Sequence, residues 1–366
     1  MQRLRLLACA SIVCLPSAAH ADPLDFSISS DLTFIENQVN KTLTSLGDPS
    51  SGYPVSGGDS GTWTKTVPSS NGAGWTTGFF PGELWLLYQA TGSNTWLTAA
   101  QTWTTPLASQ ASNVTRVDPT DIGFIIGTSF GNGYRLTGDP TYQSVLLTAG
   151  TSLASLYNPT VGAVRSWASG FDSTHYAVII DSMMTIGPLQ WGATNGGASS
   201  WATIAATHAG TVTTNLVRGD GSTYQVADFD PTTGALLSQT TFSGFSNTST
   251  WARGEAWALY GFVQAYQASG NPAFLTTAEN IANYFVSHSP ADGIPPWDFD
   301  APGTQPVDTS AAAIAADGLI MLSTVAGTQA LRFSPTPRTS SGRSATCIST
   351  RRQLERRCYW TATRVA

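Results

Sequence analysis

Residues 82–100 read GELWLLYQATGSNTWLTAA, and this stretch decides how the chain is built. Its first part has the apolar spacing of a helix, and its last part begins a second helical pattern. Gly92 lies between the two and can take the left-handed conformation that ends a helix. Trp96 follows four residues later, where its ring can pack back across the turn. The stretch therefore predicts a helical hairpin.

The same arrangement recurs along the chain, with a glycine followed four residues later by an aromatic residue. The further pairs are Gly138/Tyr142, Gly197/Trp201 and Gly270/Phe274. Pro140 and Pro272 suit the first turn of the helix that follows. Turns of this composition are common, but four copies in register favour repeated hairpins. We therefore predict an all-α fold in which the hairpins close into a toroid, with Gly-, Pro- and Trp-rich loops at one end.

Charge divides the chain into a body and a tail. Residues 22–330 hold 22 Asp and Glu against 7 Lys and Arg, which argues against nucleic acid as a partner. Residues 331–366 hold eight Arg and one Glu and lack helical periodicity. We expect a barrel domain at 22–330 and an atypical, poorly ordered Arg-rich tail at 331–366 that leaves the last hairpin incomplete. A basic tail that binds polyanions is the alternative.

The first residues, MQRLRLLACASIVCLPSAAHA, have the pattern of a secretory signal peptide at 1–21. Their apolar run is too short to cross a membrane, and no later stretch is long and apolar enough, so we expect no membrane partner. The body has no cysteine. Sequons for N-glycosylation begin at Asn40, Asn113 and Asn247. The sequence thus predicts a secreted, extracellular glycoprotein.

Two carboxylates are candidates for chemistry. Asp121 lies in VDPTDIGFIIG, where Pro119 and Thr120 mark a helix start, so a carboxylate favoured by the helix dipole and a functional acid are equally open. Asp181 lies in YAVIIDSMMTIG, after four apolar residues and before two methionines. Burial in such a run raises the pKa of a carboxyl, which suits a general acid. The alternative role for Asp181 is to cap the following helix.

Arg253 lies in WARGEAWALY, between Trp251 and Trp257. Arginine is suited to gripping a carboxylate, and indole faces suit the apolar faces of sugar rings. Trp75 and Trp167 lie in stretches that are equally rich in glycine. Any one of these tryptophans alone would more often belong to a core. Together with the arginine they indicate a site for an anionic sugar.

Motifs spread through the body carry a family resemblance. In chain order they are WTTGFFPGELWLLYQATG, DIGFIIGTSFGNGYRLTGD, IIDSMM, DGSTY, FDPTTG, STWARGEAWALYGFVQAY and PPWDFDAP with DTSAAAIAADGL. Together they resemble the unsaturated glucuronyl hydrolases, glycoside hydrolase family 88, over most of the body. The resemblance implies an (α/α)6 barrel. It also implies action on the Δ4,5-unsaturated uronic acid that polysaccharide lyases leave at the non-reducing end of oligosaccharides.

The resemblance further implies roles for single residues. Asp181 matches the general acid and base, which protonates C4 of the vinyl ether double bond before water adds at C5. Asp121 matches its partner carboxylate. A second negative charge nearby would help to keep Asp181 protonated. The matching substrate-binding positions are Trp75, Trp167, Trp251, Arg253 and Trp257.

Four positions depart from the family pattern. Thr120 and Gln225 stand where relatives commonly have histidine, and Ser243 stands where they commonly have glutamine. Gln225 and Ser243 are therefore expected to contact the substrate with altered polar groups. Glu255 replaces the usual glutamine and is expected to add negative charge where a uronate binds. These departures point to a shifted substrate preference or weak activity.

Two other functions stay open from the sequence. Unsaturated rhamnogalacturonyl hydrolases share the barrel and the chemistry, and a non-catalytic oligosaccharide-binding protein would explain the altered polar residues. Asp121 and Asp181 favour an enzyme, because binding alone has no need of two like charges. We expect no metal and no cofactor, since no nucleotide-binding loop or Cys/His spacing is present. The expected partner is an unsaturated uronic-acid oligosaccharide, and the sequence indicates no oligomeric state.

Overall fold

A computed structural model describes residues 23–57, 62–68, 72–115, 118–168 and 173–326. The predicted signal peptide at 1–21 and the Arg-rich tail at 331–366 lie outside the described residues. Any helix that completes the barrel after residue 326 lies outside them as well.

Helices make up most of the described chain. They are α1 Pro23–Leu46, α2 Phe79–Thr91, α3 Asn94–Thr104, α4 Asp121–Ile126, α5 Asn132–Thr137, α6 Pro140–Ser155, α7 Ser182–Thr185, α8 Gly187–Gly192, α9 Ser200–Leu216, α10 Ala252–Ser269, α11 Pro272–His288 and α12 Thr309–Val325. A π-helical turn, Gly127–Gly131, joins α4 to α5. Short 3₁₀ turns cover Pro49–Ser51, Gly72–Gly78 and Thr105–Ser112.

The helices form two layers. The inner layer follows the chain from α2 through α4 and α5, then α7 and α8, to α10 and α12, and each member contacts the next. The outer layer contains α3, α6, α9 and α11, each packed on the inner helix that precedes it. On the outside, α1 contacts α3 where the Trp96 indole donates a hydrogen bond of 2.8 Å to Glu36. The described residues therefore form four complete hairpins flanked by α1 and α12.

Three of the predicted hairpin turns are confirmed. Gly92, Gly138 and Gly270 end α2, α5 and α10 with φ of +67°, +68° and +68°, the left-handed conformation that costs glycine nothing. The aromatic residues pack across the turns as predicted. Tyr142 meets Phe130 at 5.4 Å between ring centroids, and Phe274 meets Phe262 at 6.2 Å.

The fourth turn differs from the prediction. Gly197 was expected to take the left-handed conformation, but the residue with positive φ is its neighbour Gly196, at +102°. Gly197 instead lies against the ring of Trp201, which leaves no room for a side chain there. The hairpin between α8 and α9 still forms, and the glycine is required by close packing rather than by its φ.

Neighbouring inner helices touch through glycine. A Cβ on Gly123 of α4 would lie far inside van der Waals contact with the backbone of Thr185 in α7. A Cβ on Gly261 of α10 would collide in the same way with Met183, also in α7. The backbones of three inner helices therefore meet directly at this level of the barrel.

Short antiparallel sheets lie in the loops, which the all-α prediction did not include. β1 Tyr53–Gly57 pairs with β2 Trp63–Thr66, and β3 Tyr157–Asn158 pairs with β4 Ala163–Val164. A three-stranded sheet contains β5 Tyr176–Ile179, β6 Val226–Phe229 and β7 Leu236–Thr240, with β6 in the middle. β6 and β7 follow each other in the chain, whereas β5 comes from a segment far from both. No described helix is long and apolar enough to cross a membrane.

Candidate active site

One end of the three-stranded sheet gathers residues from three loops. Ile179 pairs with Val226, and Val226 pairs with Thr240, so β5 ends where β6 begins and β7 ends. The ladder continues one step beyond the strands, since Ile180 N donates to Gln225 O at 2.8 Å. Residues just after β5 and β7 and just before β6 therefore meet at this end. Asp181 is the first residue beyond the ladder on β5.

Asp181 lies in the turn between the end of β5 and the start of α7, where its backbone has helical angles, φ −57° and ψ −25°. Ile180, just before it, is fully buried in the core. Asp181 also precedes α7, but its side chain makes no capping hydrogen bond. The alternative that it caps this helix is therefore wrong. Its Oδ2 atom is buried and has no hydrogen-bond partner among the described residues.

This environment makes Asp181 a weak acid. Burial raises its pKa from 3.8 to about 6, because an ionised carboxylate loses hydration there. The positive charge of Arg253 acts in the opposite direction. The helix that carries Arg253 lies close by, since a Cβ on Gly254 would be 3.1 Å from Ile180 Cγ2. A carboxyl with such a pKa can give up a proton and take one back near neutral pH.

Asp121 enters the same region from the next inner helix. It is the first residue of α4 and is only 8% exposed. Gly123 brings α4 into backbone contact with Thr185, four residues after Asp181. The first turn of α4 is therefore in contact with the last residue of α7, and each of the two candidate carboxylates lies within one helical turn of this contact. Thr120, just before Asp121, donates a long hydrogen bond of 3.4 Å to Ser166 O.

Aromatic rings cluster beside Asp121. Trp75 lies 5.5 Å from Phe124, and Phe124 lies 5.0 Å from Trp257, measured between ring centroids. Phe79 contacts all three rings. The Nε1 atom of Trp257 is buried and makes no hydrogen bond with the described residues. The sequence analysis identified both tryptophans but not the two phenylalanines, although both lie in its quoted motifs.

Arg253 is tied down at the start of α10. Its Nη2 atom lies 2.9 Å from Asp308 Oδ2, and its guanidinium lies 5.4 Å from the centroid of the Trp251 ring. The side chain is a third exposed, and its Nη1 makes none of the hydrogen bonds found among the described residues. Asp308, which the sequence analysis missed, also caps α12 by accepting from Ala311 N at 2.9 Å. One carboxylate thus fixes both the arginine and a helix start.

Gln225 and Ser243 are hydrogen-bonded to each other. The Gln225 side chain donates to Ser243 Oγ at 2.9 Å and accepts from Ser243 N at 2.6 Å. The Trp297 indole donates to Ser243 O at 2.9 Å. Gln225 is almost fully buried. These two predicted contact residues therefore link the start of β6 to the loop after β7.

Glu255 contradicts the expectation from the sequence. It was expected to add negative charge to the sugar site, but it is fully buried and accepts a hydrogen bond of 2.8 Å from Thr223. Its Oε1 has no partner among the described residues, and burial raises its pKa well above 4.5. Burial therefore favours the neutral form of this carboxyl over the charged one.

Trp167 covers the loop-side face of the sheet. It pairs with Ala177 and packs on Ile179 and Val226. Its ring meets Phe242 edge to face at 5.6 Å. Phe242 was not identified from the sequence. The structure thus places Trp167 on Ile179 of β5, Trp251 beside Arg253, and Trp75 and Trp257 on Phe124 of α4.

Known proteins resemble this chain over much of its length. No model of a protein family matches the chain. Among curated proteins, the unsaturated glucuronyl hydrolase of Formosa agariphila is 38% identical over 264 residues, which is 70% of this chain and 64% of that protein. The unsaturated glucuronyl hydrolase of Bacillus sp. is 32% identical over 249 residues, 67% of this chain and 66% of that protein. The chain thus matches just under two thirds of the length of these relatives.

Solved structures extend the likeness to the fold. An unsaturated glucuronyl hydrolase specific for heparin is 36% identical, with a TM-score of 0.76 over 82% of this chain and 79% of that chain. The unsaturated glucuronyl hydrolase of Bacillus sp. GL1 is 27% identical, with a TM-score of 0.76 over 84% of this chain and 81% of that chain. The prediction of an (α/α)6 barrel is confirmed.

Proposed function

The chain belongs to the unsaturated glucuronyl hydrolases, and from this premise we propose that it removes the Δ4,5-unsaturated uronic acid from the non-reducing end of oligosaccharides made by lyases. The observation that carries the proposal is the Asp181 carboxyl. Its Oδ2 atom is buried without a partner among the described residues, burial raises its pKa to about 6, and it follows Ile179, on which Trp167 packs, by two residues.

In the proposed reaction Asp181 first acts as an acid. Its proton goes to C4, the π electrons of the C4=C5 bond form the new C–H bond, and positive charge develops at C5 and the ring oxygen. Water then attacks C5 and gives a proton to the Asp181 carboxylate, which restores the acid. The resulting hemiketal opens, and the bond between C1 and the aglycone oxygen breaks. The net change is addition of one water molecule.

The remaining residues suit the substrate. Arg253 keeps Nη1 for the uronate carboxylate while Asp308 holds the rest of the guanidinium in place. Trp251 and Trp257 are only 7% and 4% exposed, so apolar surface for a sugar comes mainly from the partly exposed rings of Trp75 and Trp167. A solved relative, 27% identical, holds dGlcA-Glc-Rha-Glc, which supports this class of substrate.

A spectroscopic assay tests the proposal. Unsaturated disaccharides from glycosaminoglycan, gellan, ulvan and rhamnogalacturonan are mixed with the protein, and loss of the ultraviolet absorbance of the double bond is followed. We expect loss with at least one glucuronyl substrate and none with Asp181→Asn. Loss only with the rhamnogalacturonan product identifies a rhamnogalacturonyl hydrolase instead. Binding without loss identifies a non-catalytic binding protein.

We also propose that the protein is exported and N-glycosylated. The support is the pattern of residues 1–21 and the exposure of the sequons. Asn40 and Asn247 are exposed, and Asn113 is half-buried. Export would place the protein where lyases release oligosaccharides outside the cell.

A further inference from the structure

Phe242 is a large aromatic residue that lies mostly in solvent. It is 77% exposed, the largest value among the large hydrophobic residues of the described chain. It follows β7 by two residues and lies directly before Ser243. Contact with the Trp167 ring, edge to face at 5.6 Å, leaves most of its surface in solvent. An exposed aromatic residue beside a candidate site often marks a place where a ligand binds.

The backbone next to Phe242 is fixed. Ser243 N donates to Gln225 Oε1 at 2.6 Å, and Ser243 O accepts from the Trp297 indole at 2.9 Å. Gln225 in turn belongs to the ladder, since its N donates to Thr240 O at 3.1 Å. Because the backbone on both sides of Phe242 is fixed, ligand binding at this residue costs little backbone conformational entropy.

Trp167 and Phe242 lie at the same end of the sheet as Asp181. Trp167 packs on Ile179, which is two residues before Asp181. Phe242 precedes Ser243, whose partner Gln225 pairs with Ile180, the residue before Asp181. A sugar joined to a uronate at Asp181 could therefore reach these two rings.

Charged groups near the rings are already engaged. Arg165 Nε donates to Trp167 O at 3.1 Å, and Arg253 is paired with Asp308. The two rings therefore offer mainly apolar, polarisable surface. Such a surface suits a neutral pyranose, whose C–H groups can stack on an aromatic ring.

A protein partner is the weaker explanation for this surface. The other exposed apolar residues on β7, Leu236 and Leu237, lie at the opposite end of the strand, where Leu236 pairs with Phe229. Phe245, which is also exposed, lines a separate cavity of about 360 Å³ with Arg218 and Tyr284. Phe242 is thus separate from both.

We propose that Trp167 and Phe242 form an aromatic platform for the sugar joined to the unsaturated uronate, and that Phe242 favours a neutral pyranose at that position. The proposal rests on the function proposed above. It assigns Phe242 to substrate specificity and gives it no part in the chemical step.

The test compares two substrates. One is an unsaturated disaccharide with a neutral hexose as aglycone, and the other is the methyl glycoside of the unsaturated uronate, which has no second ring. Phe242→Ala should raise KM for the disaccharide about tenfold and change kcat less than about twofold. The kinetics with the methyl glycoside should not change. Phe242→Trp should restore the KM for the disaccharide.

Phe245→Ala is the matched control, because it removes an exposed phenylalanine of the same loop from a different cavity. It should leave both substrates unaffected. An equal effect of Phe242→Ala on both substrates, or no effect on either, overturns the platform. The same holds if Phe242→Ala instead dissociates an oligomer without changing KM.

If the proposed reaction is wrong, the experiment gives a result that differs from the loss of the aromatic platform alone. If the wild-type protein turns over neither substrate, the reaction is wrong, and the platform is tested by binding. Tryptophan fluorescence then gives the Kd of the disaccharide, which Phe242→Ala should weaken about tenfold. An unchanged Kd overturns the platform as well.

Discussion

The carboxyl of Asp181 has one oxygen, Oδ2, that is buried and meets no donor among the described residues. The preceding residue, Ile180, is fully buried in the core. Burial favours the neutral acid, whereas the nearby charge of Arg253 favours the ion, and burial dominates. Two opposed influences of this kind keep the pKa within the range in which one group can serve as acid and then as base.

Asp181→Asn should lower kcat by a factor of about 10² to 10⁴, because the amide has no proton to donate to carbon. Substrate affinity should stay within a few-fold, since the side chains have nearly the same shape. Ultraviolet kinetics and a binding titration measure the two effects. A variant that retains substantial turnover would show that another group supplies the proton.

The activity should depend on pH with a midpoint near 6. The acid must be protonated to start the reaction, so kcat/KM should fall as pH rises through the pKa of about 6, toward a tenfold loss for each further pH unit. A pH series of initial rates gives the midpoint. A profile that stays flat from pH 5 to 8 contradicts the assignment of Asp181 as the acid.

Glu255→Gln should stabilise the fold at high pH and leave KM unchanged. Burial raises the folded pKa of Glu255 well above 4.5, so its stabilising contribution is complete below the unfolded pKa and is lost as pH rises through the folded pKa. Thermal midpoints at pH 5 and pH 8 measure this. The increase in thermal midpoint over wild type should be larger at pH 8 than at pH 5. A large rise in KM would instead indicate that Glu255 contacts the sugar.

At the scale of elements, contact between inner helices sets the geometry of the site. α4 begins at Asp121, α7 begins directly after Asp181, and the two helices touch at Gly123 and Thr185 without an intervening side chain. The three-stranded sheet holds the chain up to Ile180, and this fixes the backbone position of Asp181, the next residue. The positions of both carboxylates thus follow from main-chain packing.

Gly123→Ala should destabilise the protein by about 1 to 3 kcal/mol, because the added methyl group collides with the backbone of Thr185. Activity should fall in the folded fraction as well, since α4 must move away from α7. Gly127→Ala is the control, because nothing lies within 4 Å of a Cβ there and its φ is −62°. Denaturant unfolding measures both variants, and equal stability for the two would contradict the role of the contact.

At the scale of the whole molecule, local patterns predicted the helical hairpins well. The turns at Gly92, Gly138 and Gly270 depend on neighbours in sequence, so they could be read from a few residues. The three-stranded sheet could not be predicted in this way, because β5 and β6 pair across about fifty residues. The pairing of Arg253 with Asp308 is equally distant in the chain.

The sequence predicted which residues belong to the candidate site, but it did not predict their burial or their hydrogen bonds to one another. Family resemblance identified Asp121, Asp181 and Arg253. The burial of Glu255 was missed, because a sequence does not show which face of a helix start turns inward. The clasp between Gln225 and Ser243 was missed for a similar reason, since it forms only when β6 and the loop after β7 meet.

Glycosylation is a property of the whole exported molecule. The protein is expressed in a eukaryotic secretory host. Asn40→Gln and Asn247→Gln should each lower the mass of the secreted protein by one glycan, because both side chains are exposed. Mass spectrometry before and after enzymatic release of N-glycans measures this. Secreted protein with no change in mass would contradict the proposal, and Asn37→Gln, outside any sequon, is the control.

The contact between Gly123 and Thr185 also determines how the specificity of this chain could be changed. Main-chain contact sets the starts of α4 and α7, whereas the residues after β7 belong to a loop outside the barrel wall. Varying Phe242 while keeping Gly123 and the hydrogen bonds between Gln225 and Ser243 would therefore change the surface that meets the aglycone and leave the two carboxylates in place. A protein built this way can change its preferred polysaccharide over evolution without rebuilding the chemistry.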